Sequence, residues 1–403
     1  MSRLYLETAT TFAKISKKKM GLKEAIYSSR CPEKQKPSML GLISKAVAHK
    51  QVLSDILNEI GAFNKESPMR WDVVTVMATE LLFGSGTIRG GGLIKRFLME
   101  RLDKMKELLE KKGVSVEAGT NSVETGKILP RYVRVNASRW KSDDAAVAFL
   151  KSKLIRVVKD EQVPHLLLID SADTKILVTL ECVKKGDLML QDKSTCVSAY
   201  ALLKNRKSGN PIHILDVCSA PGGKAIHILE MLQAGDYLTA VERDPKRAAV
   251  LQTRLAALAN TNKGVTVNVI VDDFLTIFPE DPRLDKTVPI THLNLDPSCS
   301  GSGMTSTPTT KGDRELRTLA AFQAKMLRHA QLAFETVKVV CYSTCSVLAI
   351  ENEDVVKAAL DEQKFQIDHK PLPAWWTESD KFVRTIPEKD NCRGFFLARI
   401  VRK

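Results

Sequence analysis

Leu215-Asp216-Val217-Cys218-Ser219-Ala220-Pro221-Gly222-Gly223-Lys224 is the stretch that decides the fold. An apolar strand runs into small residues and two glycines, and a helix opens behind them. Only small residues let a ligand approach the backbone there, and exposed N–H groups at a helix start hold a carboxylate or phosphate. Pro221 ahead of the glycine pair excludes the dinucleotide GxGxxG pattern, and the GK[ST] of a Walker loop is missing. Outward from this loop the chain alternates. Strands are expected over 212–217, 237–241, 265–271, 292–295 and 338–342, helices near 224–232, over 245–259 and over 316–334, and a closing strand over 394–401. Strands separated by helices imply a parallel sheet with right-handed crossovers. The glycine loop ends the first of these strands, where open α/β sheets bind ligands.

Upstream the texture differs. Residues 131–136 alternate like a strand, and 143–154 are amphipathic behind Ser142 or Asp143 as cap. Short strands are expected over 166–169, 177–180 and 188–190. Residues 1–112 read as helices, with apolar residues three and four apart over 40–60 and 92–112. Gly84, Gly86, Gly90, Gly91 and Gly92, with Arg89 among them, make a tight basic turn between two helices. The small, polar and aperiodic run 113–127 is the expected linker. Four segments result: a basic helical domain over 1–112, the linker, a small α/β module over 128–205, and a catalytic domain over 206–403.

At 44% hydrophobic and 27% charged residues, the 403-residue chain has ordinary globular usage, which excludes a disordered tail, a collagen-like fibre and a disulfide mini-scaffold. No apolar run approaches the roughly 20 residues of a membrane-spanning helix, so no membrane is expected. The start lacks the long apolar core of a secretory signal, and Lys17-Lys18-Lys19 reads as a solvated helix face. Eight cysteines without a CxxC pair imply neither a metal site nor a disulfide framework, and free thiols suit cytosol or nucleus. The net charge of +14 suggests a polyanionic partner. Residues 1–129 hold 22 Lys and Arg against 14 Asp and Glu, more than half of that excess.

Glu242 ends the second strand of the alternating half, where an acidic side chain suits the hydroxyls of a ribose. Asp272 and Asp273 follow the third strand, in reach of an adenine amino group, and Asp273 is favoured. Two cysteines end two further strands. Asp296-Pro297-Ser298-Cys299-Ser300-Gly301-Ser302-Gly303 follows the fourth and Tyr342-Ser343-Thr344-Cys345-Ser346 the fifth. Cysteines in apolar runs are usually inert core residues, and Cys182, Cys196, Cys341 and Cys392 are read so. Cys299 and Cys345 lie among small hydroxylated residues at one sheet edge, where a thiolate can be exposed and activated. Such a thiolate beside a nucleoside cofactor suits pyrimidine chemistry. Carbon 5 of a pyrimidine becomes nucleophilic once a thiolate adds at carbon 6. Asp296 could support the negative charge at the N3 and O2 edge, and the base must leave any helical stack to enter the pocket.

DVCSAPGGK, LDPSCSGSGM and CYSTCS followed by Glu351-Asn352-Glu353 resemble the motifs of the Sun-domain family of RNA cytosine-C5 methyltransferases. Pro130 to Asn136 is similar to that family's PRYVRVN element, residues 186–194 to its substrate-side GxxxxQDxAS element, and 394–398 to its closing GFF strand. The resemblance implies a Rossmann-like, S-adenosylmethionine-dependent fold with a mostly parallel seven-stranded sheet. It implies Cys345 as nucleophile and Cys299 as the residue that assists release from product. It implies cofactor contacts from Cys218, Ser219, Ala220, Pro221, Gly222, Gly223 and Lys224, from Glu242 with Arg247, and from Asp273 and Asp296. Glu242 departs from the family's more usual Asp, and Lys193 from its Ala or Arg before Ser194.

Residues 25–29, 80–84 with 89–92, and 351–356 resemble the fifth eukaryotic subfamily. That resemblance implies large-subunit ribosomal RNA as substrate and a nucleolar, nuclear location. The expected protein is a monomer, associated with pre-ribosomal particles. The competing readings are a tRNA or other RNA cytosine-C5 methyltransferase, a DNA or small-molecule methyltransferase, and a ribosome assembly factor whose methyltransferase fold is a scaffold. The intact glycine loop and paired cysteines weigh against the last.

Overall fold

The structure, a computed structural model, describes residues 3–16, 25–26, 28–32, 35–63, 69–112, 129–259, 264–304, 311–368 and 381–403. The expected linker over 113–127, the lysine run 17–19, and Tyr27 within the 25–29 resemblance lie outside these residues. The chain divides into two compact units, Met1–Thr125 and Gly126–Lys403.

The first unit is built on helices α1 (Arg3–Ser16), α2 (Lys36–Ala48), α3 (Lys50–Glu59), α4 (Trp71–Phe83), α5 (Leu93–Glu100) and α6 (Leu102–Lys111). Helix α4 is apolar nearly all round, from Val73 to Leu82, as a helix buried on every side must be. Helices α1, α2, α3 and α5 all pack on it. The two periodic stretches read over 40–60 and 92–112 each break once, at His49 and at Arg101. Between α4 and α5 the glycine-rich turn holds Gly86, Gly90 and Gly92 at positive φ, which other residues rarely adopt.

The second unit opens with strands β1 (Arg131–Val135), β2 (Val157–Lys159), β3 (Leu166–Ile169) and β4 (Leu188–Leu190), paired antiparallel in the order β2-β3-β1-β4. Helix α7 (Asp143–Ser152) packs on them, capped by Ser142, whose hydroxyl accepts the Ala145 N–H at 3.1 Å. Residues 177–180, expected as a strand, are not one. Thr174–Leu177 forms a helical turn that continues through Val178. Leu177 alone is buried while Ile176 and Val178 are exposed, so this apolar run has one inward residue and no ladder partner.

Helix α8 (Lys193–Leu203) leads into the main sheet: β5 (His213–Val217), β6 (Tyr237–Val241), β7 (Thr266–Ile270), β8 (Ile290–Leu295), β9 (Val339–Thr344), β10 (Phe365–Ile367), β11 (Val383–Thr385) and β12 (Phe395–Arg402). The order β10-β12-β9-β8-β5-β6-β7 is the expected seven-stranded path, and β11 adds a short eighth strand beside β12. Strands β5 to β9 are parallel, and the pairings through β12 are antiparallel. Strands β5 and β9 are buried at every position, which is why apolar residues occupy both of their faces.

The pleat sends Ile214 to one face, with α8, α9 (Gly223–Met231) and α10 (Pro245–Ala259). It sends Leu215 and Val217 to the other, with α11 (Asp313–Leu332) and α12 (Glu353–Ala359). The order reverses at β5, flanked by β6 and β8, so a crevice opens at the carboxyl ends of these strands.

Candidate active site

Three strand ends meet at this crevice. At the end of β5, Cys218 has φ 58° and Gly222 φ 99°, and the chain folds back to start α9 at Gly223. A side chain at Gly222 would come within 2.9 Å of Leu251, whereas one at Gly223 would meet nothing within 4 Å. Gly222 is therefore required by the turn, and Gly223 leaves room over the helix start. Side chains from the next strand and helix then bind the loop's main chain. Glu242 accepts the Ala220 N–H at 3.3 Å and the Asp244 N–H at 3.0 Å. Arg247 donates to the Ala220 carbonyl, and Arg254 to that of Pro221 at 3.1 Å. Beneath the loop, Asp216 accepts Asn294 at 2.6 Å and Ser219. Burial pushes the Asp216 carboxyl up to about 6 despite those bonds.

Each Glu242 oxygen keeps acceptor capacity beyond its one amide. An open helix start, a left-handed glycine without space for a side chain, and a carboxylate at the next strand end fit a nucleoside cofactor carrying a carboxylate. Asp272 and Asp273 take different roles. Asp272 pairs with Arg283 at 2.9 Å, while Asp273 caps the turn after β7 by accepting the Leu275 N–H at 3.0 Å. The Asp273 carboxylate stays 3.7 Å from Arg243.

Lys224 carries the glycine loop into the second half of the crevice. Its ammonium lies 2.7 Å from Asp296 at the end of β8 and donates to the Ser343 hydroxyl of β9 at 2.8 Å. Asp296 thus enters the site as the partner of a cation, an arrangement its sequence neighbours do not reveal.

Cys299 and Cys345 stand with sulfurs 3.1 Å apart, although 46 positions separate them. Both are half-buried, unlike Cys196, Cys341 and Cys392, which are fully buried. Cys182, expected in the core, is only partly covered. Burial pushes the Cys218 thiol up to about 12, which leaves it inert. The Cys299 thiol is held well above its ordinary value, first by its hydrogen bond with Cys345 and then by burial. Cys299 is thus the member of the pair that holds its proton more tightly than a free thiol does.

The two cysteine loops are stitched together. Gly303 N–H donates to the Cys345 carbonyl and Gly394 N–H to the Gly303 carbonyl, each at 2.9 Å. A Cβ on Gly303 would run into the Gly394 backbone, so the glycines of the PSCSGSG and GFF elements serve one close approach. Asn352 accepts the Thr344 hydroxyl at 2.6 Å and donates to the Ser346 carbonyl at 2.9 Å. Glu351, wholly buried, accepts the Ser300 N–H at 2.8 Å and the Gln323 amide at 3.1 Å. Gln323 lies in α11 and carries no sequence signal for this place. Glu351 had one, its position just after CYSTCS. The substrate-side element joins through Asp192, which accepts the Arg393 N–H at 3.2 Å. The departure at Lys193 finds its reason in a buried pair with Asp160 at 2.9 Å.

A family model described as 16S rRNA methyltransferase RsmB/F matches residues 201–401. The 28S rRNA (cytosine-C(5))-methyltransferase of Mus musculus is 30% identical over 435 residues, covering 98% of this chain and 90% of that protein. The 25S rRNA (cytosine-C(5))-methyltransferase NSUN5 of Arabidopsis thaliana is 32% identical over 397 residues, covering 92% and 67%. The solved structure of NSun6 from Pyrococcus horikoshii with SFG superposes with a TM-score of 0.55 at 16% identity, over 69% of this chain and 91% of that one, which speaks for the fold. The chain belongs to the RsmB/F family of Sun-domain, S-adenosylmethionine-dependent methyltransferases.

Proposed function

We propose that this protein methylates carbon 5 of a cytosine in large-subunit ribosomal RNA, with Cys345 as nucleophile and Cys299 as the residue that releases the product. The observation that carries this reading is the 3.1 Å contact between two half-buried thiols at adjacent strand ends, beside a glycine loop that fits the cofactor. The curated relatives named for large-subunit rRNA span nearly the whole chain, which supports the choice of substrate.

The residues divide the work. Cys218 to Lys224, Glu242 and Asp273 would hold the cofactor, with Arg247 fixing the loop through Ala220. When bound, S-adenosylmethionine supplies a sulfonium methyl group to the nucleophilic carbon 5. The Cys345 thiolate adds to carbon 6, and the 5,6 π-electrons move to carbon 5. Lys224, paired with Asp296, places an ammonium where charge develops on the ring edge. With Cys345 bound to carbon, Cys299 passes its proton to solvent. The Cys299 thiolate then takes the proton from carbon 5. The 5,6 double bond re-forms, the S–C6 bond breaks and Cys345 leaves as thiolate. One proton is released overall and the thiol pair is restored.

The basic excess of the helical unit supports a role in RNA phosphate binding, and the rRNA substrate supports a nucleolar site of action on pre-ribosomal particles. The test is transfer of labelled methyl groups from S-adenosylmethionine to purified ribosomal RNAs and tRNA, read as 5-methylcytidine after digestion. Label in the large-subunit rRNA alone is expected. Label in tRNA alone, or none in any RNA, would overturn the assignment.

A further inference from the structure

The loop that carries Cys299 is held on both sides by two side chains outside the two cysteine motifs. Gln323 of α11 donates to the Ser298 carbonyl at 3.0 Å, and Glu351 accepts the Ser300 N–H at 2.8 Å. The same Gln323 amide donates to the Glu351 carboxylate at 3.1 Å, so the two close a bracket around Cys299. Tyr342, three residues before Cys345, donates to the Glu351 carbonyl at 2.5 Å and ties the bracket to the strand of the nucleophile. Gln323 and Glu351 are both fully buried. The second carboxylate oxygen of Glu351 is buried with no hydrogen-bond partner. A buried carboxylate is costly to keep, and an amide or an apolar residue would fill the space with less penalty. Its one satisfied oxygen points at the amide next to Cys299.

We infer that Glu351, with Gln323, is a positioning residue that holds the Cys299 sulfur against Cys345 and thereby sets the rate of product release. The inference rests on the proposed roles of the two cysteines. Removing the bracket leaves Cys345, the glycine loop and the Lys224–Asp296 pair in place, so addition and methyl transfer proceed. Cys299 is then displaced from carbon 5, and the covalent complex persists.

The experiment compares Glu351→Leu, Gln323→Met and Glu351→Gln with Cys299→Ala in the full-length protein, using large-subunit rRNA. Single-turnover methyl transfer should change by less than about threefold, while steady-state turnover falls by about tenfold or more in the first two variants. Both should accumulate RNA-linked enzyme that survives denaturing gels, as Cys299→Ala does. Glu351→Gln retains a carbonyl oxygen for the Ser300 amide and should restore turnover to within about threefold of the parent. Unchanged binding of S-adenosylhomocysteine shows that a variant is folded. Should Glu351→Leu fail to fold, Gln323→Met, which removes the bond to Ser298 and keeps the carboxylate, decides. Normal turnover in the folded variants, or turnover and adduct falling together, would overturn the inference. Absence of an adduct in Cys299→Ala would instead overturn the assignment of the cysteines.

Discussion

The two halves of the crevice are built by opposite means. Around the cofactor loop it is the main chain that has been shaped. Gly222 takes a left-handed conformation, Gly223 leaves open space, and the side chains of Glu242, Arg247 and Arg254 grip backbone atoms of Ala220 and Pro221. Around the cysteines the roles reverse. The two cysteines are placed by side chains, Glu351, Gln323, Asn352 and Ser346, acting on two separate loops. A backbone cradle tolerates changes in side chains that do not touch the ligand, so damage there should appear as affinity. A pair of sulfurs in contact depends on loops from two strands, so damage there should appear as a change in the fate of the covalent intermediate. Lys224 belongs to both halves, with its backbone in the loop and its ammonium on Asp296.

The largest effect would come from Cys345, the proposed nucleophile. Cys345→Ala should lower methylation by at least about a thousandfold, since carbon 5 is never activated, while S-adenosylhomocysteine affinity stays unchanged. Label incorporation and calorimetry on one preparation check both. Residual methylation within tenfold of the parent would show that the sulfur pair is structural and would collapse the distinction between the halves.

Next comes Cys299→Ala. Turnover should fall by about a hundredfold, with enzyme trapped on RNA as a covalent complex that the double variant with Cys345→Ala abolishes. An adduct found on Cys299 instead, by peptide mass mapping, would exchange the roles of the two sulfurs.

In the backbone half, Glu242→Ala removes an acceptor from Ala220 and, on the proposed role, from the cofactor. Its affinity for S-adenosylhomocysteine should fall by about ten- to a hundredfold, from the loss of hydrogen bonds to a charged group. The RNA adduct formed by the Cys299→Ala background should still appear at saturating cofactor. Unchanged affinity in a calorimetric titration would remove Glu242 from the site.

The effect furthest from the chemistry concerns Asp216 beneath the loop, and it is read as stability. Its folded carboxyl titrates near 6 against an ordinary 3.8, chiefly through burial. The native state thus keeps a proton that the unfolded chain has released. The stabilising contribution is whole below about pH 4 and is lost as pH rises to about 6, a difference of about 3 kcal/mol. Asp216→Asn has no such titration, so its stability relative to the parent should rise between pH 4 and 6 and then level off. Burial lowers His292 to about 4, and it titrates across the same range in both proteins. The measurement is therefore the difference between the two denaturation curves at each pH. A flat difference would mean that the Asp216 charge is compensated in the fold.

Much of this was legible in the sequence, for identifiable reasons. Strands β5 to β9 stood out because each is a short, mainly apolar run set between helical stretches, and β5 and β9 are buried along their whole length. The glycine loop and both cysteines stood out because small residues at strand ends are unusual where only packing is required. Residues 177–180 misled because a single buried leucine among three apolar residues suits a helical turn as well as a strand. Strands β10 and β11, with three residues each, are too short to carry a period. Arg134 shows the same limit. It lies in an alternating strand that reads as half solvated, yet it is buried against Glu230 and Gln191.

By itself the sequence determined the alternation of strands and helices from 212 to 342, the loop that fits the cofactor and the two cysteine loops, since each is written in contiguous residues whose size and period constrain the local backbone. Only the tertiary structure decided that Cys299 and Cys345 touch, that Lys224 answers Asp296, that Gly303 and Gly394 share one close approach, and that Gln323 and Glu351 enclose Cys299. These contacts join residues from 25 to 91 positions apart in the numbering. Their geometry comes from the parallel registry of β5, β8 and β9, which brings the carboxyl ends of strands distant along the chain to one edge.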